Sequence, residues 1–227
     1  MKTVIEFLTQ LQENNNRPWF EANKKWYKQA LEEFNGFAEK LIEGIAQFDS
    51  SVQGLTIKDC TYRIYRDVRF SPNKQPYKTH MGVYIAHKGK NAGYAGYYFH
   101  VEPIEGRMIG SNILTSGLYM PEPEVLKTVR EDIDNSGEEF IALIQKANGF
   151  ELEEEEGHKL KRVPRGFSAE SPYAEYLKLK DFYLTQYVDN NYLLQENLLE
   201  NVLHEYKKTV EFIAWLNRAV EYVHENR

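Results

Sequence analysis

Positive charge and aromatic rings are concentrated in one short segment between Thr61 and His80, TYRIYRDVRFSPNKQPYKTH. Arginine supplies paired hydrogen-bond donors and aromatic rings supply a stacking surface, so this combination suits a phosphate or carboxylate ligand. Pro72 and Pro76 restrict the backbone that carries the cations. We therefore predict a ligand-binding cluster made of Arg63, Arg66, Arg69, Lys74 and Lys78. The competing interpretation, in which these cations pair with carboxylates of neighbouring helices, stays open.

Strand alternation divides this segment. If residues 62–70 form a strand, one of its faces carries a polar row consisting of Arg63, Tyr65, Asp67 and Arg69. Arg66 then falls on the opposite, mainly apolar face. A guanidinium in such a place is costly unless a carboxylate, a carbonyl or a bound anion contacts it. The sequence therefore predicts a specific partner for Arg66.

A second group with chemical potential lies in GYYFHVEP, where His100 and Glu102 share a strand face with Tyr98. Histidine and glutamate at this spacing could present two metal ligands, with His80 as a third. Such pairs also occur by chance, and a half-buried histidine is usually only hydrogen-bonded, so we predict no metal site. If the chain is an enzyme, its acid or base is expected among Asp67, His80, His100 and Glu102.

A third group lies in NNNRPWFEANKKWY near the start of the second predicted helix. Trp19 and Trp26 are seven residues apart, which places them on one helical face and predicts core packing. Asn23 lies between them and could face a cleft. Signatures of Ser-His-Asp and Cys-His triads, of Gly-rich phosphate loops and of His-Glu-x-x-His zinc sites are absent from the sequence.

The elements that must position these groups follow from periodicity. A helix is expected from a capping box of Thr3 and Glu6, and a long second helix from Pro18 to about Phe48. The period then changes to two, which predicts four strands in YRIYRDVRF, MGVYIA, GYYFHVE and RMIGSNIL. Their connections are short and rich in Gly, Pro and Asn, so an antiparallel meander is expected.

Helices return after the predicted sheet. PEPEVLKTVREDI begins one helix, and Ser136 caps another that ends near Ala147. FELEEEEGHKLKRV predicts a hairpin around Gly157, SPYAEYLKLK a short helix, DFYLTQYV a strand, and the residues after Asn191 C-terminal helices. Residues 1–227 are therefore expected to form one α+β domain, with a mainly antiparallel central sheet packed against N-terminal, middle and C-terminal helices.

Composition limits the classes of function. The formal net charge is −6, yet the stretch from Lys58 to Lys90 has eight basic and two acidic residues, so one basic island lies in an acidic chain. This distribution argues against broad nucleic-acid binding but suits one small anion. Cys60 is the only cysteine and no apolar run reaches about 18 residues. We expect a cytosolic protein without a membrane partner.

Four motifs in this order, NNNRPWFEANKKWY, YRIYRDVRFSPNKQPYKTH, GYYFHVEP and PRGF, resemble the family catalogued as Domain of Unknown Function 2461. The resemblance covers nearly the whole chain. It implies a single α+β domain found mostly in bacteria and brings no established reaction, ligand or catalytic residue, so none is carried over.

Three functional hypotheses remain. The leading one is a basic, aromatic cleft that binds or processes a phosphorylated or carboxylated small molecule. The second is a non-catalytic interaction module that docks an acidic partner or a nucleic-acid backbone, with exposed tyrosines adding contact area. The third is a metal-assisted hydrolase. The sequence identifies no cofactor, and it leaves open whether the chain is an enzyme.

Overall fold

The computed structural model describes residues 1–103, 106, 108–154, 157 and 159–226. Within these residues the helices are α1 Lys2–Glu13, α2 Arg17–Ala22, α3 Lys24–Ile45, α4 Ile57–Cys60, α5 Pro123–Lys146, α6 Ala174–Leu177, α7 Asn190–Leu193, α8 Leu198–Lys207 and α9 Val210–Glu225, with a 3₁₀ turn at Ser50–Val52. The strands are β1 Met81–Ala86, β2 Gly96–Val101, β3 Asn112–Leu118, β4 Glu151–Leu152 and β5 Phe182–Val188. None of the described helices is long and apolar enough to span a membrane.

The described strands form one antiparallel sheet in the order β1-β2-β3-β5-β4. The first three are consecutive neighbours, as short connections require. β5 returns beside β3 only after α5, which contributes the middle of the helical layer. The predicted single α+β domain with a mainly antiparallel sheet is confirmed.

One face of the sheet carries the hydrophobic core. Phe99 of β2 contacts Phe37 of α3 with ring centroids 4.8 Å apart, and Tyr97 contacts Tyr206 of α8 at 5.3 Å. Phe140 of α5 reaches the same face at Phe182 of β5, at 6.0 Å. Because side chains alternate along a strand, burying these residues against helices directs their neighbours to the opposite face.

The opposite face is called here the open face, and it carries Tyr84, Tyr98, His100 and Thr115. In β2 it presents Tyr98 and His100, which pair in register with Tyr84 and Gly82 of β1. The helical ring contacts of Tyr97, Phe99 and Phe182 lie on the other side of the sheet, while His100 on this face is itself fully buried.

The predicted strand over residues 62–70 is wrong. The described backbone there has only two isolated bridges, Thr61 to Val83 and Tyr65 to Tyr77. Two features oppose a regular ladder: prolines at 72 and 76 lack an N–H to donate, and Asp67 bonds the backbone N–H of Arg69 locally at 3.2 Å. The expected faces therefore do not form, and Phe70 is 94% exposed.

The N-terminal helices differ from expectation in two places. No capping box forms at Thr3, because α1 begins at Lys2 and the Thr3 amide instead donates to Oε2 of Glu33 at 3.0 Å. The long second helix is broken at Asn23, whose side chain donates to the carbonyl of Trp19 at 2.9 Å. A side chain that bonds the backbone locally competes with helix continuation. Asn23 therefore ends α2 rather than facing a cleft.

Two further boundaries were misplaced, whereas the predicted break at Ser136 is confirmed, because α5 consists of two helical stretches that meet in a kink at this residue (φ −144°, ψ 39°). RMIGSNIL begins its strand only at Asn112. The hairpin around Gly157 is not formed by the described residues, since β4 pairs with β5 and Lys159 bridges Leu179. Glu155, Glu156 and His158 of that prediction lie outside the described residues.

Candidate functional site

The basic segment is an irregular hairpin attached to the N-terminal helices. Its arms join where the Arg66 amide donates to the Pro76 carbonyl at 2.9 Å and the Lys78 amide to the Ile64 carbonyl at 2.8 Å. The side chain of Asn15 bonds both backbone groups of Tyr77. It donates to the Tyr77 carbonyl at 2.9 Å and accepts from the Tyr77 N–H at 3.1 Å. The NNNRPW motif therefore holds the basic segment in place.

Arg66 and Lys74 stabilise the hairpin loop from within. The Arg66 guanidinium donates to the Gln75 carbonyl at 3.0 Å and to Ser71 Oγ at 3.4 Å. Lys74 Nζ donates to the carbonyls of Val68 and Arg69 at 3.0 and 3.3 Å. The predicted partner of Arg66 is thus a backbone carbonyl. Both Arg66 and Lys74 donate hydrogen bonds to atoms of their own hairpin loop.

Arg69 and Asp67 form an exposed ion pair. Arg69 Nη2 lies 2.6 Å from Asp67 Oδ2, and its Nε lies 3.0 Å from Oδ1. These hydrogen bonds lower the pKa of Asp67 and raise the pKa of Arg69. Both predicted site residues therefore engage each other, and each has its charge compensated on the surface.

Arg63 and Lys78 differ from the other three cations, because neither has a hydrogen-bond or ion-pair partner for its side chain among the described residues. Lys78 is half-buried, with its ammonium 5.2 Å from the ring centroid of Tyr62. Burial and the neighbouring charge of Arg63 lower the pKa of Lys78. Two cations thus lie together and neither forms an ion pair among the residues that the structure describes, although Arg63 is close enough to Asp67 to help lower the pKa of that carboxyl.

Tyr98, His100 and Glu102 form a continuous hydrogen-bonded chain along β2 and the residue that follows it. The Tyr98 hydroxyl lies 2.9 Å from Nδ1 of His100, and Nε2 of His100 lies 3.3 Å from Oε2 of Glu102. His100 and Glu102 are fully buried, whereas Tyr98 is partly exposed. We call this chain the Tyr-His-Glu triad. Of its three members, Tyr98 alone has more than a trace of exposed surface.

A cradle of backbone amides holds the Glu102 carboxylate. The N–H groups of Met108, Ile109 and Gly110 donate to it at 2.8, 2.8 and 3.1 Å. Burial acts to raise the pKa of this carboxyl, but the hydrogen bonds from His100 and the three amides outweigh it and lower the pKa to about 2. Glu102 is therefore a carboxylate at neutral pH despite its complete burial.

Two glycines make this cradle sterically feasible. A Cβ on Gly106 would lie 2.2 to 2.4 Å from the Glu102 side chain, so only glycine leaves room for the carboxylate. Gly110 adopts φ +76°, a conformation that other residues rarely reach, and in it donates to Glu102. The two glycines thus allow the loop to approach the Glu102 carboxylate closely and to donate hydrogen bonds to it.

The ionised Glu102 determines how protons are arranged in the triad. A carboxylate only accepts hydrogen bonds, so Nε2 of His100 must carry the hydrogen that lies between them. When His100 is neutral, its Nδ1 is therefore an acceptor and the Tyr98 hydroxyl must donate to it. Nδ1 of His100 is therefore the base that accepts the hydrogen bond from the Tyr98 hydroxyl.

His80 stacks on the triad from the residue before β1. Its ring lies 5.0 Å from that of His100 at an interplanar angle of 24°. Burial and the neighbouring His100 lower the pKa of His80 to about 4. His80 is therefore uncharged at neutral pH and presents a flat ring and neutral nitrogens beside the cations Lys78 and Arg66.

Gly82 gives the Tyr98 hydroxyl its place on the open face. A Cβ at Gly82 would lie 2.5 Å from the Tyr98 hydroxyl oxygen, so any side chain there would displace it. Burial is the main reason why the pKa of Tyr98 is raised above its ordinary value. Tyr98 therefore carries its proton at neutral pH unless a base removes it.

The structure brings together three of the four predicted acid or base candidates, His80, His100 and Glu102, and leaves Asp67 with Arg69. Both nitrogens of His100 are engaged within the triad. Among the described residues, no group of three or more His, Cys, Asp or Glu side chains is placed to hold a metal ion. The observed geometry is a hydrogen-bonded chain through both nitrogens of His100, with the His80 ring stacked on it.

Sequence reasoning gave Tyr98 no role, and it missed Asn15 and the glycines of the cradle. The period-two spacing of Tyr98, His100 and Glu102 was a usable signal, because three polar residues on one strand face can bond in series. No local signal indicates that Gly82 or Gly106 faces a functional side chain. The tryptophan prediction is confirmed, since Trp19 and Trp26 both pack on Phe7.

The model of a family described as conserved hypothetical protein, DUF2461, matches residues 3–215 of the chain, in agreement with the resemblance seen in the four motifs. Searches of curated proteins and of solved structures found no match.

Proposed function

The chain belongs to the conserved hypothetical protein family DUF2461, and we propose that it binds a small phosphorylated or carboxylated molecule beside Arg63 and Lys78. The observation that carries this proposal is the half-buried Lys78, whose ammonium has no carboxylate or carbonyl partner among the described residues. Burying a cation next to a second cation is unfavourable unless an anion compensates them. A bound phosphate or carboxylate would be that anion.

The surroundings of Lys78 support a small ligand. The Tyr62 ring contacts the ammonium groups of Lys78 and Lys90, at 5.2 and 5.8 Å from the centroid, so a rigid aromatic wall positions both cations. The hairpin backbone is fixed by Asn15, which limits the entropy that would be lost on binding. His80 adds neutral ring nitrogens that can bond a ligand oxygen.

The test is a thermal-shift series with orthophosphate, sulfate, citrate and nucleoside phosphates. At least one anion is expected to raise the Tm of the wild-type protein. Lys78→Met is expected to lose most of this shift, because it keeps the side-chain length but removes the charge. Arg69→Gln is the charge-matched control and is expected to keep the shift, because Asp67 already compensates Arg69. An equal response in all three proteins would contradict the proposal.

One observation favours a second candidate function, the docking of an acidic macromolecule. Phe70 is 94% exposed in the basic hairpin loop, with the Arg69 guanidinium 5.8 Å from its ring centroid. An exposed aromatic beside a cation is typical of an interface hot spot. This function predicts salt-sensitive retention on an immobilised polyanion that Phe70→Ser abolishes, whereas the small-molecule site is unaffected by that substitution.

A further inference from the structure

We propose that the Tyr98 hydroxyl is the catalytic acid-base group of the open face, acting through His100 on a phosphorylated or carboxylated compound that carries an exchangeable proton. The inference rests on the proposed anion site, which supplies the substrate, and it adds an activity to it. Two observations support it: the hydrogen-bonded geometry of the triad, and the partial exposure of Tyr98 beside the buried His100 and Glu102.

Access singles out the tyrosine. His100 and Glu102 have no exposed surface, so neither can touch a substrate without a change in the fold. Tyr98 is partly exposed, and it lies in register with Tyr84 across β1 and with Thr115 across β3 on the open face. The residue that meets the reacting atoms is therefore Tyr98, and His100 and Glu102 are positioning residues.

Proton transfer along the triad balances in charge and atoms. Tyr98 takes a proton from the substrate while its own phenolic proton passes to Nδ1 of His100, 2.9 Å away. His100 becomes an imidazolium that retains the hydrogen on Nε2, and the adjacent Glu102 carboxylate compensates its charge. The reverse transfer returns the proton to the substrate, so the cycle needs no oxidant, reductant or further reactant.

The surroundings favour this role over a purely structural one. A hydrogen-bonded tyrosine that only stabilises the sheet would not need a buried base whose charge is compensated by a carboxylate held by three amides. The stacked His80 ring is uncharged near neutral pH, so it does not oppose a positive charge on His100. Tyr62 connects the two places, because the Lys78 ammonium lies 5.2 Å from its ring centroid and Tyr62 helps to raise the pKa of Tyr98. Lys78 would therefore hold the anionic group of the substrate close to Tyr98.

Arylsulfonyl fluorides test this activation without knowledge of the substrate. When tyrosine reacts, its oxygen forms a bond to sulfur, the sulfur–fluorine bond breaks, fluoride leaves, and the phenolic proton goes to the base, here Nδ1 of His100. We would treat the full chain with neutral benzenesulfonyl fluoride and with 4-(fluorosulfonyl)benzoate, and map the labelled residues by peptide mass spectrometry.

In the wild-type protein, Tyr98 is expected to be labelled before the five exposed tyrosines, which are Tyr62 and Tyr65 at 44%, Tyr187 at 56%, Tyr119 at 58% and Tyr222 at 61%. His100→Gln is expected to slow labelling of Tyr98 about a hundredfold, the range of a general base. Labelling in order of exposure would overturn the proposal. So would an unchanged rate in a folded His100→Gln variant, and the wild-type ranking remains decisive if that variant does not fold.

The two reagents separate this inference from the proposed function. The carboxylated reagent is expected to label Tyr98 faster than the neutral one, and Lys78→Met is expected to remove only this advantage. If neither reagent selects Tyr98 while phosphate still raises the Tm, the anion site stands and the catalytic role fails. If both label Tyr98 equally and phosphate has no effect, Tyr98 is activated and the anion site fails.

Discussion

Glu102 is a carboxylate without exposed surface, and its ionised form persists because four donors converge on it. Isolated burial would have neutralised it. The carboxylate in turn fixes the hydrogen on Nε2 of His100 and so directs the other nitrogen towards Tyr98. One buried charge thereby determines how three side chains are protonated.

The pKa of Glu102, about 2, gives a test through stability at acidic pH. Because this value lies below the ordinary 4.5 of a glutamate, the stabilisation is complete above pH 4.5 and is lost as the pH falls towards 2. At about 1.4 kcal/mol per pKa unit, Glu102 contributes roughly 3 kcal/mol near neutral pH. Urea denaturation should show Glu102→Gln less stable at pH 7 and the two proteins converging at low pH. Parallel curves would contradict this account.

His80 is expected to act in a higher pH range. Its pKa of about 4 lies below the ordinary 6.5, so neutral His80 stabilises the fold fully above pH 6.5, and this contribution is lost as the pH falls towards 4. His80→Asn should therefore flatten the decline in unfolding free energy between pH 6.5 and 4, which the wild-type protein shows. A decline of unchanged steepness in the variant would mean that another group titrates there.

The basic hairpin, residues 61–80, is an element without a regular ladder, and a side chain from another motif completes it. Asn15 satisfies both the N–H and the carbonyl of Tyr77, and Phe20 stacks on the Tyr77 ring with centroids 3.9 Å apart. A side-chain amide thus takes the place of a neighbouring strand. This contact explains physically why the two motifs belong to one structure.

Asn15→Ala is expected to loosen the hairpin. It leaves two backbone groups of Tyr77 without partners, a loss of about 1–3 kcal/mol. Amide hydrogen exchange should accelerate between residues 64 and 78 while the core strands remain protected. Asn14→Ala is the matched control, because Asn14 bonds only the local carbonyl of Gln10. Equal effects of the two substitutions would contradict the clamp.

A pair of glycines tests how closely the open face is packed. Gly82→Ala is expected to destabilise the protein by about 1–3 kcal/mol and to move the Tyr98 hydroxyl, since a Cβ would lie 2.5 Å from it. Gly36→Ala in α3 meets nothing within 4 Å and is expected to stabilise by roughly 0.5–1 kcal/mol. Thermal unfolding of both variants measures the contrast, and a neutral Gly82→Ala would refute the packing argument.

The sequence was informative about elements wherever apolar period and length agreed. The three strands from MGVYIA to NIL followed from their alternation, and the buried face of α3 followed from the spacing of Phe34, Ala38, Leu41 and Ile45. The failure at residues 62–70 has a physical cause, since alternating charges and rings describe a half-buried strand and an irregular hairpin equally well. What decides between them is a contact with Asn15, distant in sequence.

The site was predictable in part for similar reasons. Spacing placed His100 and Glu102 on one face with Tyr98, but the state of Glu102 depends on amides of a loop whose geometry the sequence does not reveal. The five cations looked equivalent along the chain. The structure separates them by their partners: Arg66, Arg69 and Lys74 are engaged locally, whereas Arg63 and Lys78 have no side-chain partner among the described residues.

At the scale of the whole molecule, the chain has a net charge of −6 that includes one basic island between Lys58 and Lys90. Such a distribution disfavours long polyanions but permits a small anion at one place. The basic island lowers the free energy of unfolding of the ligand-free protein, because Lys78 is a half-buried cation next to Arg63. Lys78→Met should therefore be at least as stable as wild type without ligand, as urea denaturation at pH 7 can show.

The most direct test of the account is calorimetric titration of orthophosphate into the wild-type protein, Lys78→Met and the charge-matched control Arg69→Gln. The account expects one phosphate site per chain, an affinity at least tenfold weaker in Lys78→Met, equivalent to about 1.4 kcal/mol, and an unchanged affinity in Arg69→Gln. Absence of binding to the wild-type protein, or equal affinities for all three proteins, would contradict it.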